Sequence, residues 1–285
     1  MKLTETGNSI FPGKGTEKCS QNTGFTLVEL LVVIGIIAVL AGLLLPAISK
    51  AKGLAQRTTC VANLRNLVLS WTQYTDENNG YLVESFPGLA NSPNPNAWVL
   101  GNMKSATEVE SLVPIIRGKL YPYNNNTAIY HCPADQGVTI RGQNYASVRS
   151  YSMNSYMGGR RGYRSTWSQV IPASPTGYAP YYEKESDLPA PSRMWVLIEE
   201  DERTISDGFF TFDPTGKTYQ KRLPATTSQR HNAAFGLAFG DGHVEMWRFK
   251  EPSANLLSST TPATVTGTDS AKDFKKLGEV TAIPR

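Results

Sequence analysis

The hydrophobic residues of this chain first appear as one long stretch near the N-terminus. Between Phe25 and Leu45, Glu29 is the only charged residue. A helix over this stretch would be roughly 31 Å long at 1.5 Å per residue, which is about the thickness of a bilayer core. The pattern therefore predicts a transmembrane helix over residues 25–46. The polar residues 1–24 before it have no apolar period and are typical of a targeting leader.

Glu29 is the exception within this apolar stretch. A carboxylate inside a membrane segment is costly unless it finds a partner, so such residues are usually functional. We therefore treat Glu29 as a candidate functional residue. The alternative is an ordinary signal anchor that carries a stray acid.

Apolar residues continue at helical spacing after Pro46. Polar and basic residues fall between them, which is the pattern of an amphipathic helix. We expect this helix to cover residues 47–80 and to enter a globular head, with a kink or local melting at Pro46. The apolar positions on its inner face are Leu54, Val61, Leu64, Val68 and Trp71.

The second half of the head has the pattern of β-strands. Residues 194–198 and 208–212 are short apolar runs, and residues 234–239 and 243–249 flank a Gly-Asp-Gly hairpin signal. With Asp241 and Gly242 as a two-residue turn, Gly236 lies opposite Trp247 and makes room for its indole.

These patterns together predict an α+β fold. A long N-terminal helix, transmembrane and then amphipathic, packs on a mainly antiparallel β-sheet head with long loops. The head covers residues 81–250, and a Ser-, Thr- and Pro-rich tail covers residues 251–285.

Composition narrows the classes of function. The chain has 285 residues, 40% of them hydrophobic, which suffices for one membrane helix and one sizeable core. The net charge is only +4. A group of cationic and aromatic residues could stack on glycans or single-stranded nucleic acid, but we interpret it as a solvated loop and expect no nucleic-acid partner; its members are Arg160, Arg161, Tyr163, Arg164 and Trp167. With three histidines and no G-x-S-x-G nucleophile motif, we expect no enzymatic activity.

A short motif at the start of the apolar stretch is more specific. Gly24 and Phe25, followed by Glu29 in the run GFTLVEL, resemble the signature of type IV prepilins and type II secretion pseudopilins. The resemblance implies that a prepilin peptidase and N-methyltransferase cuts after Gly24 and methylates Phe25. It also implies that Glu29 neutralises the new amine of a neighbouring subunit. Pro46 lies where this family commonly has its helix proline.

The resemblance leads us to expect a pseudopilin-like structural subunit. Such a subunit crosses the inner membrane once, with its head outside the cytoplasm, and joins other pilin-like subunits in a type II secretion or type IV pilus-like filament, in the periplasm or outside the cell. The alternative is a membrane-tethered module that uses the prepilin export route and binds a glycan or an ion.

Two cysteines remain once the leader, with Cys19, is removed. Cys60 and Cys132 would form a disulfide across a loop of about 70 residues, worth roughly 4 kcal/mol in the chain-entropy model. Two free buried thiols are the alternative, and the sequence does not decide between them.

Three residues near the C-terminal hairpin resemble a pattern of pilin-like exported proteins. His231, Asp241 and Gly242 form this H-x9-DG pattern. Along an extended strand, His231 and Asp241 would lie roughly 33 Å apart, too far for a shared metal ion. We therefore interpret the pattern as a structural feature of the hairpin.

Acidic residues of the head are the remaining candidates for ion binding. Calcium prefers several oxygen ligands from a loop, which makes Asp201, Glu202, Asp207 and Asp241 candidates. Their spacing matches no known calcium loop, and solvated acids are the favoured interpretation. We expect no other cofactor.

Overall fold

A computed structural model of the chain describes residues 26–89, 92–158, 182–210, 230–248 and 275–281. The chain divides into two compact units, residues 1–49 and 50–285. Helix α1, Leu27–Glu77, begins in the first unit and ends in the second. It continues through Pro46 without a break, so the expectation of local melting at this proline is wrong.

The first unit contains the apolar part of α1. The large apolar side chains from Leu27 to Leu45 are exposed. The most apolar 18-residue window of the helix has a mean hydropathy of 2.9 and no buried residue. By length and composition, this helix is able to cross a membrane.

In the second unit, α1 packs one face on the core of the head. Leu64, Val68 and Trp71 are completely buried, as the amphipathic pattern predicts, and Leu67 joins them. Leu54, by contrast, is 63% exposed, so the buried face begins after this residue.

The loops of the head contain short helices, 3₁₀ turns and two small hairpins. Two brief helices are α2 (Val113–Ile116) and α3 (Tyr121–Asn124), and 3₁₀ turns occur at Thr127–Tyr130, Glu185–Asp187 and Pro191–Arg193. Two small antiparallel hairpins pair β1 (Gly88–Leu89) with β2 (Ser92–Pro93), and β3 (Val138–Ile140) with β4 (Gln143–Tyr145).

The main sheet has five strands in the order β7-β5-β6-β8-β9. All neighbours pair antiparallel except β5 and β7, which are parallel. The α+β class and the mainly antiparallel sheet are therefore confirmed. The strands are β5 (Tyr151–Asn154), β6 (Trp195–Glu199), β7 (Phe209–Phe210), β8 (Ala234–Phe239) and β9 (Val244–Arg248).

Both faces of the central strand β6 are buried. Val196 and Leu197 join the core that contains the inner face of α1, whereas Trp195 and Ile198 belong to a second cluster. Val196 and Leu197 are successive residues but lie on the same side of the sheet, because the register with β8 shifts between Trp195 and Leu197. This double burial explains the uninterrupted apolar run in the sequence.

The register of the β8–β9 hairpin differs from the predicted one by one residue. Gly236 pairs with Met246, and Trp247 pairs with Phe235. The connection is a three-residue loop, because the Phe239 N–H donates to the His243 carbonyl and Gly242 takes a φ of +88°.

A one-residue slip moves every side chain of a strand to the other face. The expectation that Gly236 makes room for the Trp247 indole is therefore wrong. Gly236 instead faces α1, where a Cβ atom would come within 2.3 Å of the Leu64 side chain. The glycine lets the helix approach the sheet.

Part of the C-terminal segment covers the second face of the sheet. Residues 275–279 are helical, and Leu277 packs in the cluster that contains Trp195. The Trp195 N–H donates to the Val280 carbonyl at 3.1 Å, and its indole N–H donates to the Thr281 hydroxyl at 2.9 Å. Residues 275–281, which the sequence placed in a polar tail, thus belong to the head.

A buried arginine ties the loop before β7 to β5. Arg149 is completely buried. Its guanidinium donates to the carbonyl oxygens of Tyr151, Ser206 and Asp207 at 2.7–2.9 Å. Burial lowers the pKa of Arg149 to about 10, although the charge of nearby Glu200 opposes the shift.

Glu200 is the buried acid beside this arginine, one residue after β6. It accepts hydrogen bonds from the hydroxyl groups of Ser152 and Thr204. Burial raises the pKa of Glu200 to about 8, against the opposing effects of the Ser152 hydrogen bond and the Arg149 charge. The carboxyl group is thus largely protonated at neutral pH in the folded chain.

The contact of Gly236 with α1 predicts a specific loss of stability. Gly236→Ala should lower the free energy of unfolding by about 1–3 kcal/mol, because the added methyl group overpacks a buried contact. Chemical denaturation of the full chain in detergent measures this change. Gly53→Ala is the matched control, since its Cβ meets no atom within 4 Å. Adding Leu64→Val to Gly236→Ala should restore part of the loss, and strict additivity of the two losses would contradict the contact.

The raised pKa of Glu200 predicts a pH dependence of stability. Unfolding returns Glu200 to its ordinary pKa of 4.5, so its contribution is complete below that pH and disappears as the pH rises to about 8. Thermal melts between pH 6.5 and 8 lie above the titration of His131, whose pKa burial lowers from 6.5. Over this range we expect the melting temperature of the full chain to fall.

Glu200→Gln should flatten this fall, because the amide mimics the protonated acid. The exposed Glu279→Gln is the control and should keep the slope of the native chain. Equal slopes in Glu200→Gln and the native chain would show that Glu200 does not titrate as described.

Candidate functional sites at the N-terminal helix and in the head

Glu29 closes the N-terminal end of α1. Its carboxylate accepts hydrogen bonds from the Thr26 backbone N–H at 2.9 Å and from the Thr26 hydroxyl at 2.7 Å. The Glu29 N–H in turn donates to the Thr26 hydroxyl oxygen at 3.2 Å. This reciprocal arrangement is a capping box, which satisfies N–H groups that have no partner within the helix.

The capping box gives Glu29 a partner within its own chain. The resemblance pointed only to a partner on a neighbouring subunit. The spacing T-x-x-E at Thr26 and Glu29 was the signal that could have revealed this role from sequence.

The expected processing residues, Gly24 and Phe25, lie outside the described residues, so cleavage between them stays a prediction. Pro46, which was expected to act with Glu29 in assembly, lies inside α1.

A second group of candidate residues lies in the core of the head. Cys60 on α1 and Cys132, shortly after the Thr127–Tyr130 turn, are joined as a disulfide with their Cα atoms 5.3 Å apart. Both residues are completely buried in the main core. The structure thus adopts one of the two alternatives that the sequence left open, and the bond links α1 to a loop 72 residues later.

Two polar side chains lie directly against these sulfur atoms. Nε2 of His231 is 3.3 Å from Cys132 Sγ and 3.3 Å from Oε1 of Glu199. The same Glu199 oxygen is 3.8 Å from Cys60 Sγ. All four side chains are almost completely shielded from solvent.

Arg230 supplies positive charge to the acids around this group. Its guanidinium contacts Glu199 at 3.2 Å, Asp135 at 2.9 Å and Glu202 at 2.6 Å. The charges of these acids raise the pKa of Arg230, although its burial works in the opposite direction. Buried carboxylates with such a partner remain ionised at a lower cost than isolated ones.

An unusual turn brings His231 into this position. His231, Asn232 and Ala233 have φ angles of 56°, 63° and 59°, which place three consecutive non-glycine residues in the left-handed region. Each such residue costs roughly 1–2 kcal/mol. Strain of this kind persists only where the surrounding structure enforces it, and it is concentrated at functional sites.

The H-x9-DG residues do not come together in one site. His231 lies before β8 with Glu199 and the cysteines, while Asp241 lies in the hairpin loop and contacts His243. Gly242 provides the left-handed position of that loop. The place of His231 beside Cys132 could not be seen from the spacing of the motif.

The calcium candidates are also separate. Asp201 is 1% exposed and pairs with Arg203 at 2.7 Å. Burial raises the pKa of Asp207, which disfavours the charged form that binds calcium. Among the residues that the structure describes, three or more His, Cys, Asp and Glu ligand atoms converge only at Cys60, Cys132, Glu199 and His231.

Comparisons with known proteins match only part of the chain. The family model described as "Prokaryotic N-terminal methylation motif" matches residues 19–45. The chain is also similar to the type IV wide pilus major component PilA4 of Thermus thermophilus, with 45% identity over 58 residues. This match covers 20% of the chain and 44% of that relative, so the chain spans less than half of the relative's length. No solved structure matches the chain.

The methylation motif and the pilin similarity agree with the structure around Glu29. An exposed apolar helix starts two residues after the phenylalanine of the motif, and the lone acid lies in its first turn. The chain thus carries a prokaryotic N-terminal methylation motif and is similar over 58 residues to a type IV pilin.

Proposed function

We propose that this chain is a pseudopilin-like structural subunit of a type II secretion or type IV pilus-like filament. A prepilin peptidase and N-methyltransferase processes it after Gly24. Before assembly it is anchored in the inner membrane, with its head outside the cytoplasm. It then joins other pilin-like subunits through α1.

The exposed apolar surface of α1 is the observation that carries the proposal. A continuous run of exposed apolar side chains from Leu27 to Leu45 has no partner in water. A bilayer covers such a helix before assembly, and neighbouring helices cover it in a filament. Small residues on one face of the helix, Gly35, Ala38 and Gly42, allow close helix approach.

Glu29 has one partner in the free subunit and a different partner in the assembled filament. In the free subunit its carboxylate is occupied by the N–H and hydroxyl groups of Thr26. Cleavage after Gly24 creates a positively charged amine on Phe25. In a filament, the amine of a neighbouring subunit attracts the carboxylate of Glu29 in surroundings of low dielectric constant, where charge pairs are strong.

The two roles of Glu29 can be separated by substitution. Glu29→Gln keeps the capping geometry, because glutamine also serves in capping boxes, but removes the charge. We expect Glu29→Gln to be exported and cleaved normally. Its incorporation into filaments should fall by at least about tenfold, because the loss of one charge pair worth about 1.4 kcal/mol lowers an equilibrium constant tenfold. Immunoblots of sheared filaments against membrane fractions measure the ratio.

Thr26→Ala is the matched control for this experiment. It removes the hydroxyl of the capping box but keeps the charge of Glu29, so we expect it to remain in filaments. Incorporation of Glu29→Gln at the native level, together with loss of Thr26→Ala, would mean that helix capping alone matters.

Processing after Gly24 has its own test. Mass spectrometry of the protein from membranes that contain a prepilin peptidase should show a mature N-terminus at Phe25 that carries one methyl group. Gly24→Glu should block cleavage, because the peptidase of the family cuts after glycine. An intact leader in the native protein would contradict the proposal.

A cavity in the head favours a second candidate function. It has a volume of about 540 Å³, and its lining includes Tyr74, Tyr81, Glu77, Glu84 and Glu183. Tyrosines and acids in one cavity suit a glycan or a cation, as expected for a membrane-tethered binding module. Under this alternative, the native chain is cleaved and stays in the membrane without entering filaments.

A further inference from the structure

We propose that the dithiol form of the head binds one Zn²⁺-class cation through Cys60, Cys132, Glu199 and His231. This inference concerns the second unit of the chain and does not depend on filament assembly. It differs from the sequence hypotheses, which considered His231 only together with Asp241.

The geometry of the four ligand atoms fits a tetrahedral ion. All four atoms lie within 4.8 Å of one another. In a tetrahedral zinc site with bonds of 2.0–2.3 Å, ligand atoms lie about 3.3–3.8 Å apart. The distances from His231 to Cys132 and to Glu199 are both 3.3 Å, and Cys60 lies 3.8 Å from Glu199.

The two sulfur atoms must move apart to make room for an ion. Reduction breaks their bond, and rotation of the two side chains about χ1 separates the thiolates. The Cα atoms of Cys60 and Cys132 are 5.3 Å apart, so the backbone already holds both thiols at one point of the core.

A divalent ion lowers the negative charge of the site. Two thiolates and the Glu199 carboxylate carry three negative charges, and a divalent cation reduces this to one. The Arg230 guanidinium, 3.2 Å from the Glu199 oxygen, offsets part of the remaining charge, since it also contacts Asp135 and Glu202. Arg230 would thus act as the outer partner of a metal-bound carboxylate, a common arrangement in metal sites.

The nature of the ligands selects the class of metal. Thiolates and imidazole are soft or borderline ligands that favour Zn²⁺, and they disfavour Ca²⁺ and Mg²⁺. A disulfide alone needs no imidazole. The left-handed turn nevertheless holds Nε2 of His231 between Cys132 and Glu199, which a metal-binding role explains.

The ion and the disulfide exclude each other. Metal binding releases the two thiol protons and transfers no electrons. Formation of the disulfide removes two protons and two electrons, which pass to a disulfide-bonded oxidant by thiol–disulfide exchange. The metal-bound form therefore retains the cysteines in the reduced state.

Cobalt is a suitable probe because tetrahedral thiolate-bound Co²⁺ has strong visible absorption. The full chain is synthesised in a cell-free mixture that contains detergent, a thiol reductant and Co²⁺, so that the site fills as the head folds, and is purified in detergent without oxidant. We expect one Co²⁺ per chain by elemental analysis, with visible bands that Zn²⁺ abolishes. Cys60→Ser and His231→Gln should each reduce the Co²⁺ content by about tenfold or more.

Two controls keep the result specific. His243→Gln changes an exposed histidine of the hairpin and should leave the Co²⁺ content unchanged. The oxidised native chain has the same sequence and fold, but its Cys60 and Cys132 are joined as a disulfide, and it should bind no Co²⁺ at this site. A reduced native chain without Co²⁺, or equal Co²⁺ content in His231→Gln, overturns the proposal.

Discussion

The close contact between α1 and strand β8 is the interaction on which the head depends. Leu64 points at Gly236, and the absence of a side chain there allows the helix to approach the sheet. Because Cys60 lies one turn before Leu64, the same approach sets the position of the buried disulfide. Burial of Trp71 two turns later extends the contact along the helix.

In the core that the structure describes, the buried charged groups discussed above have polar or oppositely charged partners. Arg149 is surrounded by carbonyl oxygens, and Arg230 contacts three acids. Glu200 avoids the cost of burial in another way, because its pKa is raised to about 8 and it keeps its proton. At the N-terminus, Glu29 obtains its compensation from Thr26.

The sequence predicted the elements of this fold better than their relative positions. The apolar stretch, the inner face of α1 and the strands of the hairpin follow from the spacing of apolar residues, a local property. The hairpin register could not be obtained in this way, since it depends on a three-residue loop and on the helix that faces Gly236. The cluster of His231 with Cys60, Cys132 and Glu199 could not be predicted from the sequence either, because its members come from four distant segments that only the folded chain brings together.

The segment that contains Thr281 has a consequence for the biogenesis of the head. Trp195 binds this segment through its backbone and its indole, and Asn154 of the neighbouring strand donates to the Thr281 carbonyl. One side of the central strand is therefore shielded by a segment whose Thr281 lies 86 positions after Trp195 in the sequence. A growing chain presents an uncovered aromatic surface on this strand until the segment that contains Thr281 has emerged, and a chaperone is most useful during this interval.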